Sequence, residues 1–202
     1  SPSGVFSSFR YTLSPNGIRR SVQELGGRTV SWDYDSLNRL TRETVTSDPV
    51  GQNYTGDYVY DPVGNRLYFT NSLDGVTSYG YDDNDQLVTE SLAGTVTRYN
   101  YDNNGNTLSR SKATESAFYT WNGENRLAAA TVTGTNGVTR QLAYAYDDDG
   151  IRMAASVTEA GNTTATAYMV DANHPFAQVL EEAVTINNQP SPNNSVSYTS
   201  GH

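Results

Sequence analysis

A short motif recurs along this chain, and it limits the possible folds more than any other feature. An aromatic-x-aromatic triplet runs into Asp or Asn, then a polar turn, then Arg-Leu or a close variant. Trp32-Asp33-Tyr34 leads into Asp35-Ser36-Leu37-Asn38-Arg39-Leu40, and Tyr58-Val59-Tyr60 into Asp61-Pro62-Val63-Gly64-Asn65-Arg66-Leu67. Tyr79-Gly80-Tyr81 leads into Asp82-Asp83-Asn84-Asp85-Gln86-Leu87, and Tyr99-Asn100-Tyr101 into Asp102-Asn103-Asn104-Gly105-Asn106-Thr107-Leu108. Tyr119-Thr120-Trp121 precedes Asn122-Gly123-Glu124-Asn125-Arg126-Leu127, and Tyr144-Ala145-Tyr146 precedes Asp147-Asp148-Asp149-Gly150-Ile151-Arg152. Weaker copies surround Phe9-Arg10-Tyr11 and Tyr168-Met169-Val170. The second aromatics, at 34, 60, 81, 101, 121 and 146, are separated by 26, 21, 20, 20 and 25 residues. Near-constant spacing of this kind marks a repeat architecture.

The physics of one unit is readable. Side chains of a strand alternate between faces, so aromatic-x-aromatic places two rings on one side. The following Asp or Asn bonds to backbone two residues on and starts a turn. Gly64, Gly105 and Gly150 supply the positive φ that a type I turn with a bulge requires. Asn38 and Asp85 stand where that glycine is missing, and Asn and Asp tolerate the same conformation. Arg-Leu then restarts a strand, with Leu expected on the buried face and Arg on the other.

Second turn signals lie between these: Asp74-Gly75, Ala93-Gly94, Asn136-Gly137 and Gly161-Asn162. Each repeat therefore reads as two antiparallel strands, such as 87–92 and 95–101. The expected fold is all-β, with roughly 12–14 short strands and under about 5% helix. The insertion Thr46–Gly56 reads as a longer loop. The stretch Asn187–Asn194, with Pro190 and Pro192 among polar residues, reads as a linker. A repeat domain of about seven to eight repeats over 1–182 and a polar tail over 183–202 result from this.

Composition narrows the function. Hydrophobic content is 36%, low for a globular chain, but 15 Tyr against 5 Phe and 2 Trp, set in alternating strands, argue against disorder. The net charge of −9 and the lone Lys112 exclude the clustered cations that nucleic acid or an anionic membrane surface demands. No apolar run is long enough to span a bilayer. With no cysteine, disulfides, thiolate nucleophiles and Cys-zinc sites are excluded. The chain opens on Ser1-Pro2-Ser3-Gly4, without an initiator Met or a signal-like start, and is expected to be a piece of a longer protein.

The tandem Tyr-Asp-x-x-Gly-Asn-Arg-Leu and Tyr-Asp-x-Leu-Asn-Arg-Leu pattern resembles the YD repeat of RHS proteins. Residues 34–40 and 60–67 match its two common variants, and the resemblance covers about residues 5–182. Asn173-His174-Pro175-Phe176-Ala177-Gln178-Val179-Leu180-Glu181-Glu182 also resembles a segment near the end of bacterial RHS cores. Similar repeats occur in bacterial polymorphic and wall-associated toxins, in the B and C components of Tc toxins and, more distantly, in teneurins. The resemblance implies a β-ribbon spiralling into a hollow shell around a C-terminal toxin, a secreted or cell-surface bacterial location and a part in virulence. Its implied partners are further RHS repeats and the enclosed polypeptide. The family's self-cleavage region is not recognisable. Asp61-Pro62-Val63-Gly64 has its letters but sits in an ordinary repeat turn, so no protease residues are assigned.

The repeat-defining residues are expected to be structural: Tyr34, Asp35, Arg39, Tyr60, Asp61, Gly64, Arg66, Tyr81, Asp82, Tyr101, Asp102, Gly105, Trp121, Asn122, Arg126, Tyr146, Asp147 and Gly150. Asp82, Asp83 and Asp85, and Asp147 to Asp149, could offer oxygens to Ca²⁺, but their spacing is that of turn starters and not of a Ca²⁺ loop. His174 could act as a general base, yet no nucleophile motif flanks it. No catalytic residue, metal or cofactor is assigned, and the chain reads as non-enzymatic. The tyrosine stripe has two readings: rings that stack on sugars, or rings that build the repeat's own core. The first makes glycan or a cell-surface molecule a second candidate partner. Recurrence in every unit favours the second.

Overall fold

The computed structural model describes residues 7–171, 178–187 and 189–197, from 190 onward by backbone alone. His174 and the rest of 172–177 lie outside them. The chain divides into two compact units, Ser1–Val96 and Thr97–His202. The first holds β1 (Phe9–Leu13), β2 (Arg19–Glu24), β3 (Thr29–Tyr34), β4 (Leu40–Thr46), β5 (Tyr54–Tyr60), β6 (Arg66–Asn71), β7 (Gly75–Tyr81) and β8 (Leu87–Leu92). The boundary falls within β9 (Thr95–Tyr101). The second unit continues with β10 (Thr107–Lys112), β11 (Glu115–Trp121), β12 (Leu127–Thr133), β13 (Thr139–Tyr146), β14 (Arg152–Glu159), β15 (Asn162–Asp171), β16 (Gln178–Ile186) and β17 (Gln189–Ser197). Within each unit consecutive strands pair antiparallel, as an open meander, and no helix occurs among the described residues.

The strand total, seventeen among the described residues, exceeds the expected 12–14. Part of the excess is β17, which pairs with β16 through Thr185↔Pro190 and Ile186↔Gln189 where a linker was expected. Residues 183–186 likewise belong to β16 and not to a tail. Proline and polar residues hide a strand from propensity, yet proline is tolerated where a strand has a free side. The Gly161-Asn162 turn also shifts by one residue. Glu159 pairs with Asn162, so Ala160 and Gly161 form the two-residue loop, both with positive φ (49° and 81°). Between Lys112 and Glu115 the loop is Ala113-Thr114, which carries no glycine to announce it.

The core is thin because the fold is a sheet and not a stack of layers. Among the described residues the buried hydrophobics are Val22, Val30, Val45, Ala117 and Ala130. In the first unit Val22 faces Val30, Val30 faces Val45, and Val45 faces Tyr54, with Trp32 and Tyr54 packed on the row. A rule emerges that the motif does not display. The residue two before the first aromatic is buried in five of the six repeats, Val30, Gly56, Thr77, Thr97 and Ala117, and half-buried in the sixth, Leu142. Gly56 shows why small residues suit the place, since a Cβ there would stand 2.9 Å from the Phe69 ring. The rings themselves, Tyr99 and Tyr101 included, are half-buried and not mostly buried, because a single layer leaves one side of each open.

Candidate functional site

Six turns share one construction. Asp35, Asp61, Asp82, Asp102, Asn122 and Asp147 each donate a backbone N–H to the carbonyl four residues on, and each carbonyl accepts from the amide three residues on. Their Oδ1 atoms accept further backbone amides; Asp102 takes those of Asn104 and Asn106, and Asn122 those of Glu124 and Arg126. The fourth turn residue has positive φ throughout: Asn38 62°, Gly64 111°, Asp85 60°, Gly105 85°, Asn125 59° and Gly150 85°. A bulge comes next in every case, with register shifts beside Tyr34, Tyr60, Tyr81, Trp121 and Tyr146, and between Thr107 and Ser109. The acidic runs at 82–85 and 147–149 therefore open turns. Among the described residues no three His, Asp or Glu side chains gather as a metal-ligating group.

These hydrogen bonds show in the acid–base behaviour. Backbone and side-chain donation from Arg39 holds the Asp35 carboxyl below its ordinary 3.8. At Asp102 the Asn106 side chain leads the same lowering; at Asp61 burial opposes it, and donation from Asn65 and Gly64 prevails. A carboxylate whose folded pKa is depressed contributes stability that is complete above its unfolded pKa and lost as pH falls through the folded value. The midpoint of thermal unfolding should therefore be flat from about pH 5 to 8 and drop below about pH 4. Asn122 shows that a neutral amide also opens the turn. Asp102→Asn should accordingly lower the unfolding midpoint only slightly at pH 7, for one lost side-chain bond from Asn106, while making the acid limb shallower. A steeper acid limb in that variant would contradict this assignment.

Arginine does not take the expected face. Arg66 stands directly opposite Tyr60 and Arg152 directly opposite Tyr146, and the guanidinium ends over aromatic rings. Two placements occur. After a turn with Asn at positive φ, arginine comes at once and covers the second aromatic of the next repeat. Arg39 lies 4.9 Å from the Tyr60 ring centre and donates to the Asp61 carbonyl at 2.9 Å, and Arg126 lies 5.9 Å from Tyr146. After a glycine turn, arginine comes one residue later and covers the first aromatic. Arg66 lies 4.3 Å from Tyr79, and Arg152 lies 5.5 Å from Tyr168. The buried Nε of Arg66 has no hydrogen-bond partner and meets ring faces instead.

A second tie runs the other way. The Tyr81 hydroxyl donates to the Arg66 carbonyl at 3.0 Å, Trp121 Nε1 to the Thr107 carbonyl at 2.8 Å, and the Tyr146 hydroxyl to the Leu127 carbonyl at 2.9 Å. Burial pushes the Tyr81 phenol above its ordinary pKa, which keeps the proton it donates. Turn side chains add a third tie, Asn65 Nδ2 to Asp85 Oδ1 at 2.7 Å and Asn106 Nδ2 to Asn125 Oδ1 at 2.8 Å. Asp35, Asp61, Asp82, Asp102, Asn122 and Asp147 thus bond within their turns, and Arg39, Tyr81, Trp121 and Tyr146 bond to an adjacent repeat. Reading each repeat as a self-contained hairpin hides these ties; the alternation of Asn-Arg with Gly-x-Arg is the signal that could have exposed them.

No protein-family model and no curated protein matches this sequence. Solved structures do match in fold. The chain resembles part of the crystal structure of TcdB2-TccC3-Cdc42, with 17% identity, a TM-score of 0.66, and coverage of 85% of this chain and 10% of that one. It resembles TcdB2-TccC3 without its hypervariable C-terminal region equally, at 18% identity, TM-score 0.66 and the same coverage. The class is therefore that of open antiparallel β-ribbons built from tandem hairpins, the fold of a portion of those structures. This chain spans about a tenth of the length of the chains it matches.

Proposed function

We propose that this chain is a wall segment of an RHS-type shell, whose part in the whole protein is to enclose a C-terminal toxic polypeptide without doing chemistry itself. The observation that carries the reading is the tie between repeats. Turns, arginines and aromatic donors all bond to an adjacent repeat, so the array gains by extension and not by a local site. The fold likeness to TcdB2-TccC3 supports it, as does the tandem Tyr-Asp pattern. Its partners are then further repeats of the same kind and an enclosed polypeptide. A secreted or cell-surface bacterial setting and a part in virulence go with them.

The test uses the full-length gene product. Its C-terminal domain should resist protease as long as the wall is intact, and become cleavable when a repeat in 34–146 is deleted. A C-terminal domain equally cleavable in both forms would overturn the enclosure. Hydrolase substrate panels should show no turnover; activity abolished by changing His174 would overturn the non-catalytic reading.

A further inference from the structure

Four Asn-Gly pairs occur in the chain, at 16–17, 104–105, 122–123 and 136–137. Each holds the reactants of one spontaneous reaction: a side-chain amide carbon and the backbone nitrogen of a following residue that has no side chain to hinder it. Folding treats the four differently. The Gly17 N–H donates to the Ser14 carbonyl at 2.9 Å, that of Gly105 to Asp102 at 3.0 Å and that of Gly137 to Gly134 at 2.9 Å. Among the described residues the Gly123 N–H meets no hydrogen-bond acceptor, and Gly123 is exposed. The turn itself leaves that amide idle, because Pro62, which has no N–H, fills the same place after Asp61.

Asn122 also carries an activated carbonyl. Its Oδ1 accepts the amides of Glu124 at 3.0 Å and Arg126 at 2.9 Å. Two donors on one oxygen draw charge from Cγ and steady the oxyanion that forms when a nucleophile adds. The same bonds restrain the side chain and slow the attack in absolute terms. The ranking among the four pairs is set by the nucleophile, which is already free at Gly123 and must first leave its acceptor at the other three. Position 122 is also where a new charge has a partner. Five of the six repeat turns open on Asp, and this one alone opens on Asn. Asp35 Oδ2 holds Arg39 at 2.7 Å, while Arg126, at the matching place, bonds Glu124 instead.

We propose that the fold selects Asn122, among the four pairs, as a site of spontaneous deamidation that converts the one neutral turn opener into an acidic one. The Gly123 nitrogen attacks Cγ, its proton leaves with Nδ2 as ammonia, and a five-membered imide closes; water then opens the imide at either carbonyl. One product is aspartate, the residue of the other five turns, which gives Arg126 the carboxylate that Arg39 has. The other is isoaspartate, whose extra backbone methylene lengthens the turn. The site is independent of the enclosure reading, and either can fail without the other. Peptide mapping by mass spectrometry tests it, on the chain aged in mildly alkaline buffer both native and in urea. In the native chain Asn122 should convert at least about fivefold faster than Asn16, Asn104 or Asn136, the factor that one hydrogen bond is worth. In urea, where the turns are lost and all four glycine amides are free, the rates should converge. Gly123→Pro, after the example of Pro62, removes the nucleophile; it should abolish conversion at Asn122, leave the other three sites unchanged and unfold at the parent's temperature. Equal rates at the four sites in the native chain, a lead of Asn122 that persists in urea, or conversion at Asn122 in the Gly123→Pro variant would each overturn the assignment.

Discussion

Replacing Gly150 with valine should lower unfolding stability by about 2–3 kcal/mol, roughly 1 kcal/mol more than the same change at Gly105. Both glycines sit at φ 85°, where a β-branched side chain is crowded. Their surroundings differ. A Cβ at Gly105 meets nothing within 4 Å, while a Cβ at Gly150 would stand 2.2 Å from Arg126 Nη2. That guanidinium must leave its place over Tyr146 and its 2.5 Å contact with Glu124. Denaturant titration of the two variants measures the gap, and Arg126→Ala in the Gly150→Val background should remove the excess. Equal losses at the two glycines would mean that Arg126 does not rest on the turn.

Trp32→Ala should cost about 3 kcal/mol, the low end of the range for large aromatic deletions, because one side of the indole is open. The ring packs on the Val22–Val30–Val45 cluster, whose Val45 is 2% exposed, and its Nε1 donates to Glu43 at 2.7 Å. Glu43 also accepts from the Tyr54 hydroxyl, so one carboxylate joins two rings across three strands. Trp32→Phe keeps most of the packing and should cost about 1 kcal/mol for the lost donor. Thermal unfolding of the pair separates the two contributions. A neutral Trp32→Ala would show that the cluster does not need the indole.

Much of this architecture is written in local chemistry. The positive φ of Gly64, Gly105 and Gly150, and of Asn38 and Asp85, comes from a turn whose opening Asp caps its own backbone, and period-two alternation makes strands of the segments between. These relations span four or five residues, so sequence alone determines them. Sequence also separates the two kinds of turn, glycine and Asn or Asp, although their consequence for arginine stays hidden until the strands pair.

Pairing decides the rest. Register puts Arg66 directly opposite Tyr60 and Arg152 directly opposite Tyr146, which is why these arginines share the face of the rings, and the bulge that follows reverses the face of the residues after it. Burial is likewise tertiary. Val30, Thr77 and Ala117 look unremarkable beside the aromatics, yet they are among the few buried residues of a sheet only one layer thick. The strand 189–197 forms against a neighbour in spite of its prolines. Local bonding sets each turn; the contacts of the side chains beyond it are set by register, which no single repeat contains.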